Sequence, residues 1–314
     1  MKNVFAILLL TASALCVLSP SKAAAQEASQ VPDPNFDTKV ERPAYTKKRP
    51  RVMFDEAHFN VHTTATGYRA FAEMMANDGY RITPNRGKFA RNTLKGFRVL
   101  VIANALGAAN PDDPDAARPA FTKEECDAVR DWVRGGGALL LITDHEPAAS
   151  AAENLATRFE VGTGKNFAVD KSNYFTRTGW AGNLVFSRGK GLLAEHPIIN
   201  GRDAAERINQ VLTFGGQSLT GPADSTAFLK LSDTAKTLFA YPARQVEISA
   251  ADRAQGIALK YGRGRVVITG EAGMLSAQIL KEGQASYPFG MNVPGFDNRQ
   301  LALNIMHWLS GLLG

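Results

Sequence analysis

Two five-residue runs without a polar side chain, Val99-Leu-Val-Ile-Ala103 and Ala138-Leu-Leu-Leu-Ile142, constrain this chain more than any other feature. A strand that is apolar at every position has both faces buried, as strands do inside a parallel sheet covered by helices on both sides. Between the runs, Thr122 and Glu125 form a capping box, and Cys126, Val129 and Val133 then recur at helical spacing. Gly135-Gly-Gly137 ends that helix. Strand, helix and strand in this order predict a right-handed crossover unit.

The same alternation extends on both sides. Arg51-Val-Met-Phe-Asp55 reads as a strand that delivers polar groups at its end. Tyr68, Phe71, Ala72 and Met75 then fall at i, i+3, i+4 and i+7, and Gly79 closes that helix. Tyr80–Thr83 is a further short strand. Gly256–Tyr261 and Val266-Val-Ile-Thr-Gly-Glu271 read as two strands around the tight turn of Gly262-Arg-Gly-Arg265. Asp297, with Gln300 three residues on, reads as the N-cap of a closing helix whose stripe is Leu301, Ile305, Trp308, Leu309 and Leu312. The expectation is an α/β fold with a mainly parallel sheet, one domain over residues 51–314. Within it, 160–250 reads as an irregular insertion, with strand candidates Leu184-Val-Phe186, Val211-Leu-Thr-Phe214 and Ala227–Leu231 between Gly/Asn-rich turns.

The N-terminus has a different character. Lys2, the apolar run from Val4 to Leu18 and the small residues Ala23-Ala24-Ala25 predict a signal peptide over residues 1–25 and a periplasmic or secreted protein. The run is shorter than the roughly 20 residues a membrane span needs, so no transmembrane segment is expected after cleavage. Leu15 stands before Cys16 where a lipoprotein signal would place a small residue. Residues 26–50, with four prolines and no apolar period, read as a linker or an arm on the domain surface. Cys126 is then the one remaining thiol, which excludes an intramolecular disulfide and suits a packing role. Lys+Arg outnumber Asp+Glu by 36 to 30, but the excess is scattered and makes no nucleic-acid footprint.

Ligands of open α/β sheets bind beyond the carboxyl ends of the strands. Three such ends carry unusual groups: Asp55-Glu56-Ala57-His58 with His62 following, Asp144-His145-Glu146, and Glu271. Asp55, His58, Asp144, His145 and Glu271 are therefore the candidate catalytic residues, able to exchange protons with a small polar substrate. Glu56, His62, Gln217 and Asn298 are candidate ligand-binding residues. The competing reading makes Asp55 and Asp144 helix caps and gives the histidines ordinary hydrogen bonds. No cofactor motif is evident. A divalent metal is a second use for the same donors, although no H-E-x-x-H spacing is present. Ser218 is outside any G-x-S-x-G elbow, which disfavours that type of serine hydrolase. His196 and His307 read as structural.

Five segments carry a family resemblance: Phe54-Asp-Glu-Ala-His58, Gly135 to His145, His196-Pro-Ile198, Gly264 to Glu271, and Asp297 to Asn304. Together they resemble the class I glutamine amidotransferase-like superfamily. Within it they are most similar to its trehalose-utilisation-like branch and to the amidotransferase-like domains of gliding-motility and intraflagellar-transport proteins. The resemblance implies a flavodoxin-like three-layer sandwich. Catalytic members carry a cysteine, activated by histidine, at the turn after a central strand. Here that turn reads Thr143-Asp144-His145, which removes the thiol mechanism and glutamine amidotransfer with it. What the resemblance leaves is a hydrolase or lyase of a small, sugar-like substrate, or a catalytically silent domain that binds a ligand or partner.

Overall fold

The computed structural model describes residues 29–314 apart from 48, 242 and 243. The expected signal peptide and Cys16 lie outside the described residues. In chain order the elements are β1 (Ser29–Pro32), β2 (Arg51–Asp55), α1 (Arg69–Asn77), β3 (Arg81–Asn85), β4 (Val99–Ala103), α2 (Lys123–Arg134), β5 (Ala138–Ile142) and α3 (Ala148–Ala156). Next come β6 (Gly162–Val169), β7 (Val185–Ser187), α4 (Pro197–Asn200), β8 (Gln210–Leu212), β9 (Gln217–Thr220), β10 (Thr226–Lys230), β11 (Lys236–Tyr241) and β12 (Arg244–Ser249). The chain closes with β13 (Ala254–Tyr261), β14 (Gly264–Thr269), β15 (Ala277–Glu282), β16 (Ala285–Gly290) and α5 (Asn298–Ser310).

Five strands in the order β3-β2-β4-β5-β14 are parallel, and β4 and β5 are buried at every residue. Beyond β14 the sheet continues as an antiparallel wing. The hairpin partner β13 comes first, flanked by β10 and at one end by β9, followed by β6, β11 and β12. The 160–250 region supplies most of that wing. α1 and α5 pack on one face with Phe71, Met75, Leu301 and Trp308, while α2 and α3 pack on the other with Cys126, Val129 and Leu155. This is the three-layer α/β arrangement.

Local chemistry explains the helix ends. The capping box of α2 forms in both directions, Thr122 Oγ1 accepting from Glu125 N–H and the Glu125 carboxylate from Thr122 N–H. Burial pushes the Cys126 thiol up to about 11, which keeps it protonated and inert. Asp297 departs from expectation: it precedes α5, but its carboxylate accepts from Asn209 and Gln210 N–H instead of capping the helix. The start of β8 competes for it with two donors.

Residues 29–45 are woven into the domain. β1 pairs antiparallel with β15, and Phe36, Val40 and Tyr45 pack on the core. Ala44 and Tyr45 donate their N–H groups to Asp78, the residue after α1. Gly79 has φ +98°, and a Cβ there would lie 1.9 Å from the Tyr45 carbonyl oxygen, so only glycine admits the arm. Asp78 also accepts from His307 Nε2 at 2.7 Å, both side chains fully buried, which joins α1, α5 and the arm. His196 accepts the Ile198 N–H on Nδ1 at the start of α4.

Candidate functional site

The strand ends carry two separate histidine–carboxylate clusters. The first is closed. Asp55, the last residue of β2, receives His58 Nδ1 on both carboxylate oxygens at 2.9 and 3.0 Å. His58 Nε2 bonds to Glu125 Oε1 at 3.0 Å. Phe89 and Phe121 cover the ring, each with its centroid 4.8 Å away. Burial alone would lower the His58 pKa, but the Asp55 and Glu125 carboxylates outweigh it and hold it above the ordinary 6.5. Burial likewise works against the Glu125 anion, yet the Thr122 N–H, His58 and the Phe89 N–H together keep its pKa below 4.5. A bridging imidazolium between two carboxylates is the stable state, and its two N–H groups are both spent inside the protein.

The second cluster is open. β5 ends at Ile142, and Asp144 follows with its N–H on Asn104 Oδ1 at 3.0 Å. Its carboxylate accepts from His145 N–H at 2.8 Å and from Ala272 N–H at 3.2 Å. Glu271 follows the neighbouring strand β14, and its two oxygens accept from Gly273 and Met274 N–H at 2.5 and 2.7 Å. Burial raises the Asp144 pKa. Burial and then the Asp144 charge push Glu271 well above the usual carboxylate range. Both shifts favour the protonated acid, and the charge of Asp144 opposes ionisation of Glu271. Gly216 lets the wing approach this point, since a Cβ there would lie 2.2 Å from the Gly270 carbonyl and 2.5 Å from Glu271 Cβ.

His145 is the accessible partner. Its side chain is 40% exposed, and Nδ1 donates to the Glu146 carbonyl at 2.8 Å. That bond fixes the tautomer and leaves Nε2 as the acceptor, 3.9 Å from Asp144 Oδ1. The ring lies 4.2 Å from Phe167, which meets Trp180 edge-on at 5.3 Å. Tyr68 closes the floor, donating to the Ala272 carbonyl at 2.7 Å. Burial, with the Glu271 and Asp144 charges, holds its phenol far above the usual range, so it stays neutral.

The candidate ligand-binding residues fall around these clusters. Gln217 is fully buried and clamps the wing to the strand end: Nε2 donates to the Asp144 and Thr143 carbonyls, and Oε1 accepts from Lys165 N–H. Asn298 is also fully buried, bonded to both main-chain groups of Leu212 and to the Met274 carbonyl. Glu56 accepts from the Thr64 N–H and hydroxyl, bracing the loop after β2. His62 stacks 5.1 Å from Tyr68, and burial lowers its pKa to about 4, so the ring is neutral.

The sequence reads Glu125 as a helix cap and Tyr68 as a core position, and it singles out neither of them nor Asn104 for the site. Asn104 holds φ +47° directly after β4 and bonds to both the Asp144 N–H and the Val61 N–H, so it ties Asp144 to the loop after β2. Among the described residues, no group of three or more His, Cys, Asp or Glu side chains is placed to hold a metal ion. No helix among them is long and apolar enough to cross a membrane.

No family model and no curated protein matches the chain. Solved structures do match. The N-terminal domain of mmIFT52 superposes with a TM-score of 0.59 at 15% identity, covering 82% of this chain and 97% of that one. A ThuA-like protein from Parabacteroides merdae ATCC 43184 gives 0.45 at 11% identity, covering 85% and 91%. A GMP synthase-like protein from Thermoplasma acidophilum gives 0.39 at 14%, covering 84% and 97%. At 15% identity the likeness to the mmIFT52 domain concerns the fold alone.

Proposed function

We propose that this chain is an exported hydrolase or lyase of a small, polar, sugar-like substrate, with His145 and the Asp144–Glu271 pair as its proton-exchanging groups. One observation carries the reading: two carboxyl groups with raised pKa values lie beside a solvent-reachable imidazole that has one free nitrogen. His145 Nε2 takes a proton from the attacking water or from the substrate carbon. The carboxyl pair, whose burial favours the protonated acid, returns a proton to the leaving group. Phe167 beside His145, with Trp180 edge-on against it, offers an apolar wall that suits a ring with polar edges. Asp55, His58 and Glu56 support the loop that bears His62 and do not touch substrate in this reading. Residues 1–25 direct export and are removed.

The test is turnover of a panel of chromogenic glycosides and unmodified disaccharides by the mature protein. With the substrate so found, His145→Ala and Asp144→Asn each lower kcat/KM by about 10²–10⁴-fold, whereas Glu56→Gln leaves it within a few-fold. EDTA and added divalent ions in the same assay test the metal reading. Binding without turnover across the panel leaves a silent ligand-binding domain in place of the enzyme.

A further inference from the structure

Cations that are dispersed along the chain gather at the end of the sheet remote from His145. Arg51 and Arg81 stand opposite each other as the first residues of β2 and β3. Arg98, just before β4, donates its N–H to the Arg51 carbonyl, and its own carbonyl accepts from Ala138 N–H. Arg265, near the start of β14, lies opposite Ala138. Neighbouring strands are about 4.8 Å apart, so these arginines span a front roughly 20 Å wide.

Two of them serve the helices that end here. Arg98 donates to the Gly136 and Ser310 carbonyls, and Arg265 to those of Trp308 and Leu313. A helix C-terminus leaves such acceptors open. The other cations are not used up in this way. Arg51 lies 4.1 Å over the Phe97 ring, and a Cβ on Gly96 would be 3.2 Å from its Nη1, which sets Lys95 alongside. Arg263 donates its N–H to the carbonyl of Arg134, the last residue of α2. The arm adds Lys47 and Arg49 before Pro50, whose carbonyl accepts from Arg81 N–H. All of these except Arg98 and Arg265 are exposed, and none of the exposed ones has an ion pair among the described residues.

Acids do little to offset them. Asp131 is paired with Arg130, and Asp78 is buried against His307. Glu160 and Asp224 share a cleft with Lys260 on the β13 side, so that corner is left out of the front. Leu312 lies in its middle and is 40% exposed. Its neighbour Leu313 holds Arg265, and a Cβ on its other neighbour, Gly311, would be 2.8 Å from Arg98 Nη2. An exposed apolar side chain ringed by unpaired cations matches a layer with phosphates outside and acyl chains within. A linear polyanion matches the cations but gives Leu312 nothing to meet.

We propose that this end of the sheet docks on a bilayer surface rich in anionic phospholipid, its cations on the lipid phosphates and Leu312 at the acyl boundary. β5 runs from this front to the turn that bears His145, so a docked molecule keeps that site facing water.

The test is co-sedimentation of the mature protein with vesicles of phosphatidylcholine alone and of an equal mixture with phosphatidylglycerol. Binding is expected to the mixed vesicles only, and it falls as salt rises. A cation close to an anionic surface is worth about fivefold in affinity, so Arg51→Gln combined with Arg81→Gln weakens binding about 25-fold. Lys171→Gln combined with Arg177→Gln, in the loop after β6, removes the same charge and leaves binding within about twofold. Equal binding to both kinds of vesicle, no binding to the mixed ones at low salt, or an equal loss in the two double variants overturns the proposal. Binding to heparin or DNA with none to the mixed vesicles assigns the front to a linear polyanion and overturns it too. The vesicle comparison uses the unmutated protein and stands even if a double variant misfolds.

Discussion

The two histidine–carboxylate clusters use the same residue types at the same level of the sheet and end in opposite chemical states. Around His58, each nitrogen meets a carboxylate and two phenylalanines shut out water, so the charges neutralise one another. Around His145, one nitrogen is tied to a carbonyl, the other is free, and the Asp144 charge adds to burial in raising the Glu271 pKa. Position at a strand end is thus common to both. What separates them is whether charge is balanced inside the cluster.

His58→Ala breaks the closed cluster most severely. It leaves Asp55 and Glu125 buried without their bridging cation, an expected loss of about 3–5 kcal/mol in urea unfolding. A loss comparable to that of His145→Ala would erase the distinction between the clusters. The pH dependence of stability sharpens it next. The contribution of His58 is complete below its ordinary 6.5 and is lost as pH rises through its raised folded value. That of Glu125 is present above 4.5 and is lost as pH falls through its lowered one. The advantage of wild type over His58→Gln should therefore shrink on the alkaline side by up to about 1.4 kcal/mol per pH unit.

For Glu271 the folded pKa is raised, so its stabilising protonation is complete below 4.5 and is lost as pH rises towards the folded value. Wild type should show a falling slope of up to about 1.4 kcal/mol per pH unit from this group, absent in Glu271→Gln whatever that variant's offset. An unchanged slope would mean that the pair is not strained by its charges. The smallest effect belongs to His145→Ala. A half-exposed ring with one carbonyl bond should cost less than about 0.5 kcal/mol in the same unfolding assay.

Much of the parallel half was legible in the sequence, because β4, β5 and α2 obey single local rules of burial, period and capping. The antiparallel wing obeys none of them. β6 is half-exposed, Lys165 interrupts it with φ +66°, and its register with β9 jumps between Thr163 and Phe167. Strand-end reasoning picks out Asp55, His58, Asp144, His145 and Glu271 as candidates, but it cannot divide them into two clusters, since lateral partnership depends on side chains far off in sequence. Glu125 is the clearest case. Its role in the capping box engages Oε2 with Thr122 N–H, leaving nothing to suggest that Oε1 meets His58 and Phe89 N–H.

The pairing of β5 with β14 sets the order in which the molecule can assemble. Ala138 lies beside Arg265, and nearly the whole wing lies between them in sequence. Asp144 and Glu271 therefore meet only after that long loop has closed, the slow kind of contact in a folding reaction. On the ribosome, β5 emerges with its five apolar residues and an unpaired edge long before β14 can cover it. The Asp144–Glu271 pair is thus among the last features to form, and a chain stopped before Gly264 presents a sticky edge where the finished protein pairs β5 with β14.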